Sequence, residues 1–304
     1  MQDLELEMSR CRVCPRKCGA DREHGKTGYC KAPSGVAAAR AALHFWEEPC
    51  ISGTTGSGTV FFSGCNLRCV YCQNHHIAEM ESGKVISIGR LSDIFLELQA
   101  QNANNINLVT PTHFVPQIIR ALQSAKEQGM YLPVVYNTGG YERVETLKML
   151  DGLVDIYLPD FKYLNTDHAK KYSMAEDYPE VAKAALAEMV RQAGKPVFDE
   201  RGIMKHGVIV RHLLLPGCLA DGKRVVKYLH ETYGNRIYMS LMSQYTPLES
   251  LDAAKYPELN RKVPEYAYEK LVDYAISIGV MQAFIQEGDT AKESFIPPFT
   301  LEGV

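Results

Sequence analysis

Cys65, Cys69 and Cys72 stand at C-x3-C-x2-C spacing, directly after the apolar run Gly58-Thr59-Val60-Phe61-Phe62-Ser63-Gly64. Three thiolates can hold three irons of a cubane iron–sulfur cluster, whose saturated form takes four cysteines. The fourth iron then keeps an open coordination position, as a catalytic zinc does. Such an iron can chelate a small molecule through an amine and a carboxylate, and a low-potential cluster can pass one electron into whatever is bound. The competing readings are a zinc knuckle that borrows His75 or His76, and a chance grouping of thiols. The strand-then-loop setting favours the open cluster.

Four more cysteines form a second group, Cys11-x2-Cys14-x3-Cys18-x11-Cys30, in a polar segment without helical or strand periodicity. Four thiolates close a tetrahedral zinc site or carry an auxiliary iron–sulfur cluster, and ligand count does not choose between them. Residues 1–35 are too short to fold on an apolar core of their own, so a metal staple is expected there, with turns at Pro15, Gly25 and Gly28. Cys50 and Cys218 stand apart and read as inert buried thiols. Grouped thiols and an odd total of nine suit a reducing compartment better than a disulfide framework.

These groups need a scaffold, and the rest of the chain supplies an alternating one. Strands are predicted at Thr59–Ser63, Ile106–Thr110, Pro133–Thr138, Asp155–Pro159, Gly207–Leu215 and Ile237–Met242, with a further one at Ala283–Gln286. They are short and rich in Val, Ile, Leu and Phe, as strands buried on both faces are. Amphipathic helices are predicted between them at Leu91–Gln101, Phe114–Glu127, Tyr141–Leu150, Pro179–Ala193, Gly222–Tyr233 and Pro264–Ile278. Repeated β-then-α units imply a parallel sheet with right-handed crossovers. The expected fold is a partial (β/α)6 TIM-like barrel over residues 51–304, preceded by a Cys-rich metal-binding segment over 1–50. Residues 161–178 and 244–263 are the longest irregular connections.

Composition bounds the function classes. Of 304 residues, 46% are hydrophobic and 23% charged, which excludes a disordered chain. Lys and Arg number 33 against 36 Asp and Glu, a net charge of −3 that argues against a dedicated nucleic-acid or membrane-surface binder. No apolar run is long enough to span a bilayer, and the first thirty residues lack the apolar stretch of a secretion signal. A cytoplasmic protein is expected. No G-x-G-x-x-G follows a strand, so no flavin or nicotinamide site is expected.

The motif Cys65-x3-Cys69-x2-Cys72, with Tyr71 just before its third cysteine, resembles the radical S-adenosylmethionine (SAM) superfamily. Within it the chain is similar to the activating-enzyme branch, close to uncharacterised iron–sulfur proteins related to pyruvate formate-lyase activating enzyme. The phrases Trp46-Glu47-Glu48-Pro49-Cys50-Ile51-Ser52-Gly53 and Gly64-Cys65-Asn66-Leu67-Arg68-Cys69 carry that likeness, which runs from Cys11 to about Gly288. The resemblance implies a [4Fe–4S] cluster on Cys65, Cys69 and Cys72 with SAM on its open iron. It also implies reductive cleavage of SAM to a 5′-deoxyadenosyl radical that abstracts hydrogen. Tyr71 matches an aromatic position near the adenine. Val109-Thr110-Pro111-Thr112-His113 stands where the family carries a Gly-Gly-Glu-like contact to the SAM amine; it has neither Gly-Gly nor an acid, leaving Thr110 and Thr112 to offer oxygens.

Asn137-Thr138-Gly139-Gly140 is similar to a Thr-Asn-Gly turn of activating enzymes. Asp160 and Lys162, two apart on a strand, share a face. They match a pair that serves the ribose hydroxyls and the SAM carboxylate. Arg211 lies in the apolar run Val208–Leu215 and needs a partner: the SAM carboxylate or an acidic neighbour. His212 reads as a packed histidine. Gln244 and Tyr245 stand where the family places polar contacts. The implied partners are a flavodoxin- or ferredoxin-like reductant and a protein substrate on which a glycyl radical is installed. Alternatives are a small metabolite or another peptide as substrate, or a non-catalytic electron carrier or zinc-dependent interaction module.

Overall fold

The computed structural model describes residues 8–285 and 297–304. Gln286, the expected end of the last strand, lies outside the described residues. In chain order the strands are β1 (Val36–His44), β2 (Ser57–Phe62), β3 (Lys84–Ile86), β4 (Ile106–Val109), β5 (Val134–Thr138), β6 (Ile156–Pro159), β7 (Val197–Phe198), β8 (Met204–Leu213), β9 (Tyr238–Met242) and β10 (Ala283–Ile285). The helices are α1 (Pro49–Ser52), α2 (His75–Ala78), α3 (Ile88–Ala100), α4 (Val115–Glu127), α5 (Val144–Lys148), α6 (Thr166–Ser173), α7 (Tyr178–Ala193), α8 (Leu219–Tyr233) and α9 (Glu265–Ser277).

One sheet runs in the order β10-β9-β8-β6-β5-β4-β2-β1-β3, with β7 beside β8. From β2 to β10 along this path every pairing is parallel. β1 is antiparallel to both β2 and β3. The expected partial (β/α) barrel is therefore present, with two antiparallel strands added on the β2 side. β1 escaped prediction because Val36-Ala37-Ala38-Ala39-Arg40-Ala41-Ala42 is alanine-rich and carries little β-propensity. Its place between two partners supplies what composition does not. α6 falls in the segment read as irregular; Asn165 caps it by accepting N–H bonds from Asp167 at 2.8 Å and His168 at 3.4 Å.

Helix faces and strand alternation divide the interior into two regions. Leu91, Ile94, Phe95 and Leu98 lie on one stripe of α3 and are buried against the sheet, each contributing about 2 kcal/mol of burial. The lumen holds a separate apolar layer of Cys50, Ile51, Val135, Ile156, Leu158, Met204 and Ile209. Along β5, Val135 and Asn137 thus face the lumen while Tyr136 and Thr138 face the helices. The β1–β2 connection closes the lower end of the barrel, at the start of the parallel strands. Asn104 and Asn105 hold it there, donating to the Ser52 carbonyl at 2.6 Å and the Ile51 carbonyl at 2.8 Å. Among the described residues no helix is long and apolar enough to cross a membrane.

Candidate active site

The three-cysteine loop leaves the C-terminal end of β2 through Gly64, whose φ is +89°. A Cβ there would lie 2.6 Å from the Cys30 carbonyl oxygen, so only glycine allows the loop to rest on the N-terminal segment. Backbone N–H groups of Leu67 and Arg68 point at the Cys65 sulfur, 3.4 and 3.5 Å away. The Ser173 hydroxyl lies 3.0 Å from the Cys69 sulfur. Burial pushes the Cys65 thiol up to about 11 and the Cys72 thiol up to about 12, each with neighbouring sulfurs adding to the rise. Such thiols release their protons on binding metal.

The N-terminal quartet is packed directly behind this loop, a juxtaposition the sequence does not announce. Arg16 donates to the Asn66 carbonyl at 2.9 Å, the Met174 carbonyl at 2.5 Å and the Ser173 carbonyl at 3.1 Å, with its guanidinium 4.1 Å from the Tyr29 ring centre. The Tyr29 hydroxyl donates to the Leu67 carbonyl at 3.0 Å. Cys11, Cys14 and Cys30 are buried and Cys18 is exposed. Among the described residues no three His, Cys, Asp or Glu side chains are gathered as a site for a single ion. A cubane does not need such convergence, because each cysteine ligates its own iron. A tetrahedral zinc on the quartet would need it.

Asp160, Lys162 and Arg211 meet at one corner of the sheet. Lys162 Nζ lies 2.6 Å from Asp160 Oδ2, and Arg211 Nε donates to Asp160 Oδ1 at 3.0 Å. Burial alone would raise the Asp160 carboxyl, but Lys162 and Arg211 outweigh it and hold the group below its ordinary range. Burial would lower Lys162, yet Asp160 and the nearby Cys69 raise it. Tyr178 aligns this corner. Its hydroxyl sits 3.0 Å from the Gly139 carbonyl and 2.9 Å from that of Asp160, and accepts the Lys162 N–H at 2.9 Å. Gly140, with φ +80°, passes so close that a Cβ would lie 2.2 Å from the Asp160 carbonyl oxygen. The Gly139-Gly140 pair therefore serves strand-to-strand approach at this end of the sheet.

Glu47 and Glu48 are among the residues that join the site without a sequence prediction. Glu47 reaches up from the closing loop: its Oε1 accepts from Asn107 at 3.2 Å and Asn137 at 3.0 Å, and its Oε2 lies 3.3 Å from Arg211 Nη1. Asn137 Oδ1 accepts from Arg211 Nη2 at 2.6 Å. Arg211 thus finds the acidic neighbour its burial demands, in fact two of them. Ser240 hydrogen-bonds the adjacent Glu48. The available signal was the pair of acids in Trp46-Glu47-Glu48-Pro49, set in a loop whose barrel position no periodicity reveals.

The threonines divide. Thr110 follows β4 directly at φ +58°, a strained conformation for a β-branched residue. Thr112 is 1% exposed, and its hydroxyl donates to Glu142 Oε1 at 2.5 Å. Thr138 and Tyr136 also donate to that carboxylate, on the helix side of β5 away from Asn137. The Thr112 side chain is therefore not offered to the lumen. Tyr71 is buried beside the cysteine loop, its hydroxyl accepting from Tyr163 at 2.6 Å and its ring edge-on to Tyr245. His212 packs as expected, its Nδ1 2.8 Å from the Phe161 carbonyl.

Residues 59–217, more than half of the chain, match the radical SAM superfamily. The chain belongs to that superfamily. A radical SAM protein uses a [4Fe–4S] cluster and SAM, and the donor set at the mouth of β2 fits the cluster: three thiols on one loop, two N–H groups aimed at sulfur and an ammonium beside them. An uncharacterised protein of Methanocaldococcus jannaschii is 27% identical over 90% of this chain and 78% of its own length. The pyruvate formate-lyase-activating enzyme of Clostridium pasteurianum is 28% identical over 66% of this chain and 79% of its own. Among solved structures, methylornithine synthase (PylB) superposes with a TM-score of 0.50 at 12% identity, over 93% of this radical SAM chain and 74% of that one. Streptococcus suis SuiB, crystallised with its precursor peptide SuiA, also gives 0.50, at 13% identity over 75% of this chain; the match spans 47% of that longer protein. Both likenesses are of fold.

Proposed function

We propose that Cys65, Cys69 and Cys72 ligate three irons of the cluster, that SAM binds the fourth, and that the radical abstracts hydrogen from a glycine of a partner protein. The observation that carries this reading is the meeting of Asp160, Lys162 and Arg211 on the lumen face beside the three-thiol loop. When bound, the cluster would supply the one electron for reductive cleavage of SAM to methionine and a 5′-deoxyadenosyl radical. The protein's own groups bind and orient. Lys162 supplies a cation for the SAM carboxylate, and Asp160 keeps lone pairs for the ribose hydroxyls. Thr110, held in its left-handed turn, presents backbone oxygen toward the amine. Tyr71 covers the cluster loop on the adenine side. Asn137 fixes the Arg211 guanidinium rather than touching SAM, and Thr112 has no part because its hydroxyl belongs to Glu142.

Support for the activase step is the likeness to the Clostridium enzyme. The reductant is a flavodoxin- or ferredoxin-like protein. Cys11, Cys14, Cys18 and Cys30 form a second metal-binding segment, suited by its unconverged thiols to an auxiliary cluster rather than to zinc, that braces the cluster loop through Arg16 and Tyr29. The test is anaerobic reconstitution followed by SAM and dithionite. 5′-Deoxyadenosine should form with the intact chain and not with Cys69→Ala, while Cys14→Ala keeps the SAM-binding cluster. A reducible cluster that yields no nucleoside would leave an electron carrier instead.

A further inference from the structure

Glu48 enters the lumen beside Glu47 from the closing loop. There it borders a cavity of about 680 Å³. Phe45, Trp46, Met242, Phe284 and Ile285 give this cavity an apolar and aromatic wall, and Glu47, Glu48, Arg211 and Ser240 form its polar side. Gln244 also lines it, and the Gln244 carbonyl accepts from Gln73 Nε2 at 3.1 Å, one residue beyond Cys72. Through Gln244 the cavity wall is tied to the residue that follows the cluster loop. Its volume is that of a small-ligand or side-chain site.

Charge defines what fits. Arg211 is shared by Asp160 and Glu47, and Lys162 pairs with Asp160. Two cations thus face three carboxylates once Glu48 is included, which leaves one negative charge uncompensated. SAM chelated through a neutral amine and a carboxylate, with its sulfonium, adds no net charge. Burial raises the Glu48 carboxyl above its ordinary range, and Glu47 and Asp160 add to this against Arg211 and Ser240. A buried carboxylate in such a setting gains from an incoming cation and repels an anion.

We infer that this cavity is the substrate site and takes a cationic group, an ammonium or guanidinium on an apolar stem, with Glu48 as its counter-ion. The aromatic wall accommodates the stem, and Phe45 and Trp46 place aromatic rings beside an entering cation. The word substrate rests on the radical SAM reading above; the binding itself does not need the cluster.

Trp46 is the single tryptophan of the chain and lines the cavity while 58% exposed, so its fluorescence reports occupancy. The titrants are agmatine, acetyl-Gly-Arg-Gly-amide, the neutral citrulline counterpart of that peptide, and acetyl-Gly-Glu-Gly-amide. Saturable binding of a cationic probe is expected, at least tenfold tighter than the citrulline peptide, with the glutamate peptide weakest. Tighter binding of agmatine identifies a free amine as the natural occupant, and tighter binding of the arginine peptide identifies a segment of protein chain. Glu48→Gln should abolish the preference for charge and Glu48→Asp should keep part of it. The probe comparison is made on the unaltered protein, so it stands even if a variant folds poorly. Equal affinity for arginine and citrulline peptides, preference for the acidic peptide, or no saturable change overturns the inference. Binding is measured with and without the cluster: charge-selective binding without 5′-deoxyadenosine sinks only the radical reading, and the reverse sinks only this one.

Discussion

Replacing Tyr178 by Phe removes one oxygen atom and nothing else from the corner that aligns Asp160 and Lys162. The side chain is fully buried, and its hydroxyl touches the Gly139 carbonyl, the Asp160 carbonyl and the Lys162 N–H within 3.0 Å. Phenylalanine fills the same space, so no cavity opens. The cost is that of leaving the Lys162 N–H without an acceptor and weakening two carbonyls, about 2 kcal/mol. For a chain of this size that is a fall in Tm of roughly 4 °C. Lys162 is also released at its backbone, and SAM affinity should fall at least tenfold. Denaturant unfolding and equilibrium SAM binding on the reconstituted protein measure both quantities. Stability and affinity both unchanged would refute the claim that Tyr178 sets the geometry of the pair. Lost stability with unchanged affinity would show that Lys162 does not read SAM.

Gly140 and Gly217 share φ +80°, but a Cβ on Gly140 would meet the Asp160 carbonyl at 2.2 Å while one on Gly217 meets nothing within 4 Å. Chemical denaturation should therefore find Gly217→Ala costing about 1 kcal/mol and Gly140→Ala about 3 kcal/mol or more; equal costs would contradict the close approach. Burial raises the Glu142 carboxyl to about 7, so the unfolded chain releases this proton first and stability is lost as pH rises from about 4.5 through 7. Glu142→Gln should remove that loss, which amounts to roughly 3 kcal/mol, and wild-type and variant stability curves that stay parallel from pH 5 to 8 would count against it. Burial lowers His113 to about 3, with the opposite sign: unfolded protein takes up this proton, and stability is lost as pH falls below about 6.5. His113→Gln, compared by urea unfolding at pH 4 and 7, should reduce that dependence. Ser173→Ala removes the hydroxyl 3.0 Å from the Cys69 sulfur, and EPR-monitored redox titration should find a lower cluster potential; an unchanged potential would remove Ser173 from the cluster's surroundings.

What was legible in the sequence was whatever repeats locally. The buried parallel strands β2, β4, β5, β6, β8 and β9 announce themselves as short apolar runs, and Asp160 with Lys162 was legible as a pair two residues apart, although β6 itself ends at Pro159. Arg211 was legible as a charge needing a partner, though not which one. Glu47 was illegible, because its role depends on a loop entering the barrel from below and meeting Asn107, Asn137 and Arg211 from three different strands. The same holds for Tyr178 and Arg16, whose partners lie far off in sequence. Thr112 shows the converse: a polar residue at a plausible motif position whose hydroxyl turns to the helix side, toward Glu142. β1 was hidden by its alanines, since pairing on both edges, rather than propensity, makes it a strand.

The central claim is that one iron, unligated by protein, binds SAM at the mouth of β2. Its most direct measurement is pulsed EPR of the reduced cluster with SAM labelled with nitrogen-15 at the methionyl amine. A changed cluster signal with hyperfine coupling to the labelled nitrogen is expected. A cluster spectrum indifferent to SAM, with no such coupling, would contradict it.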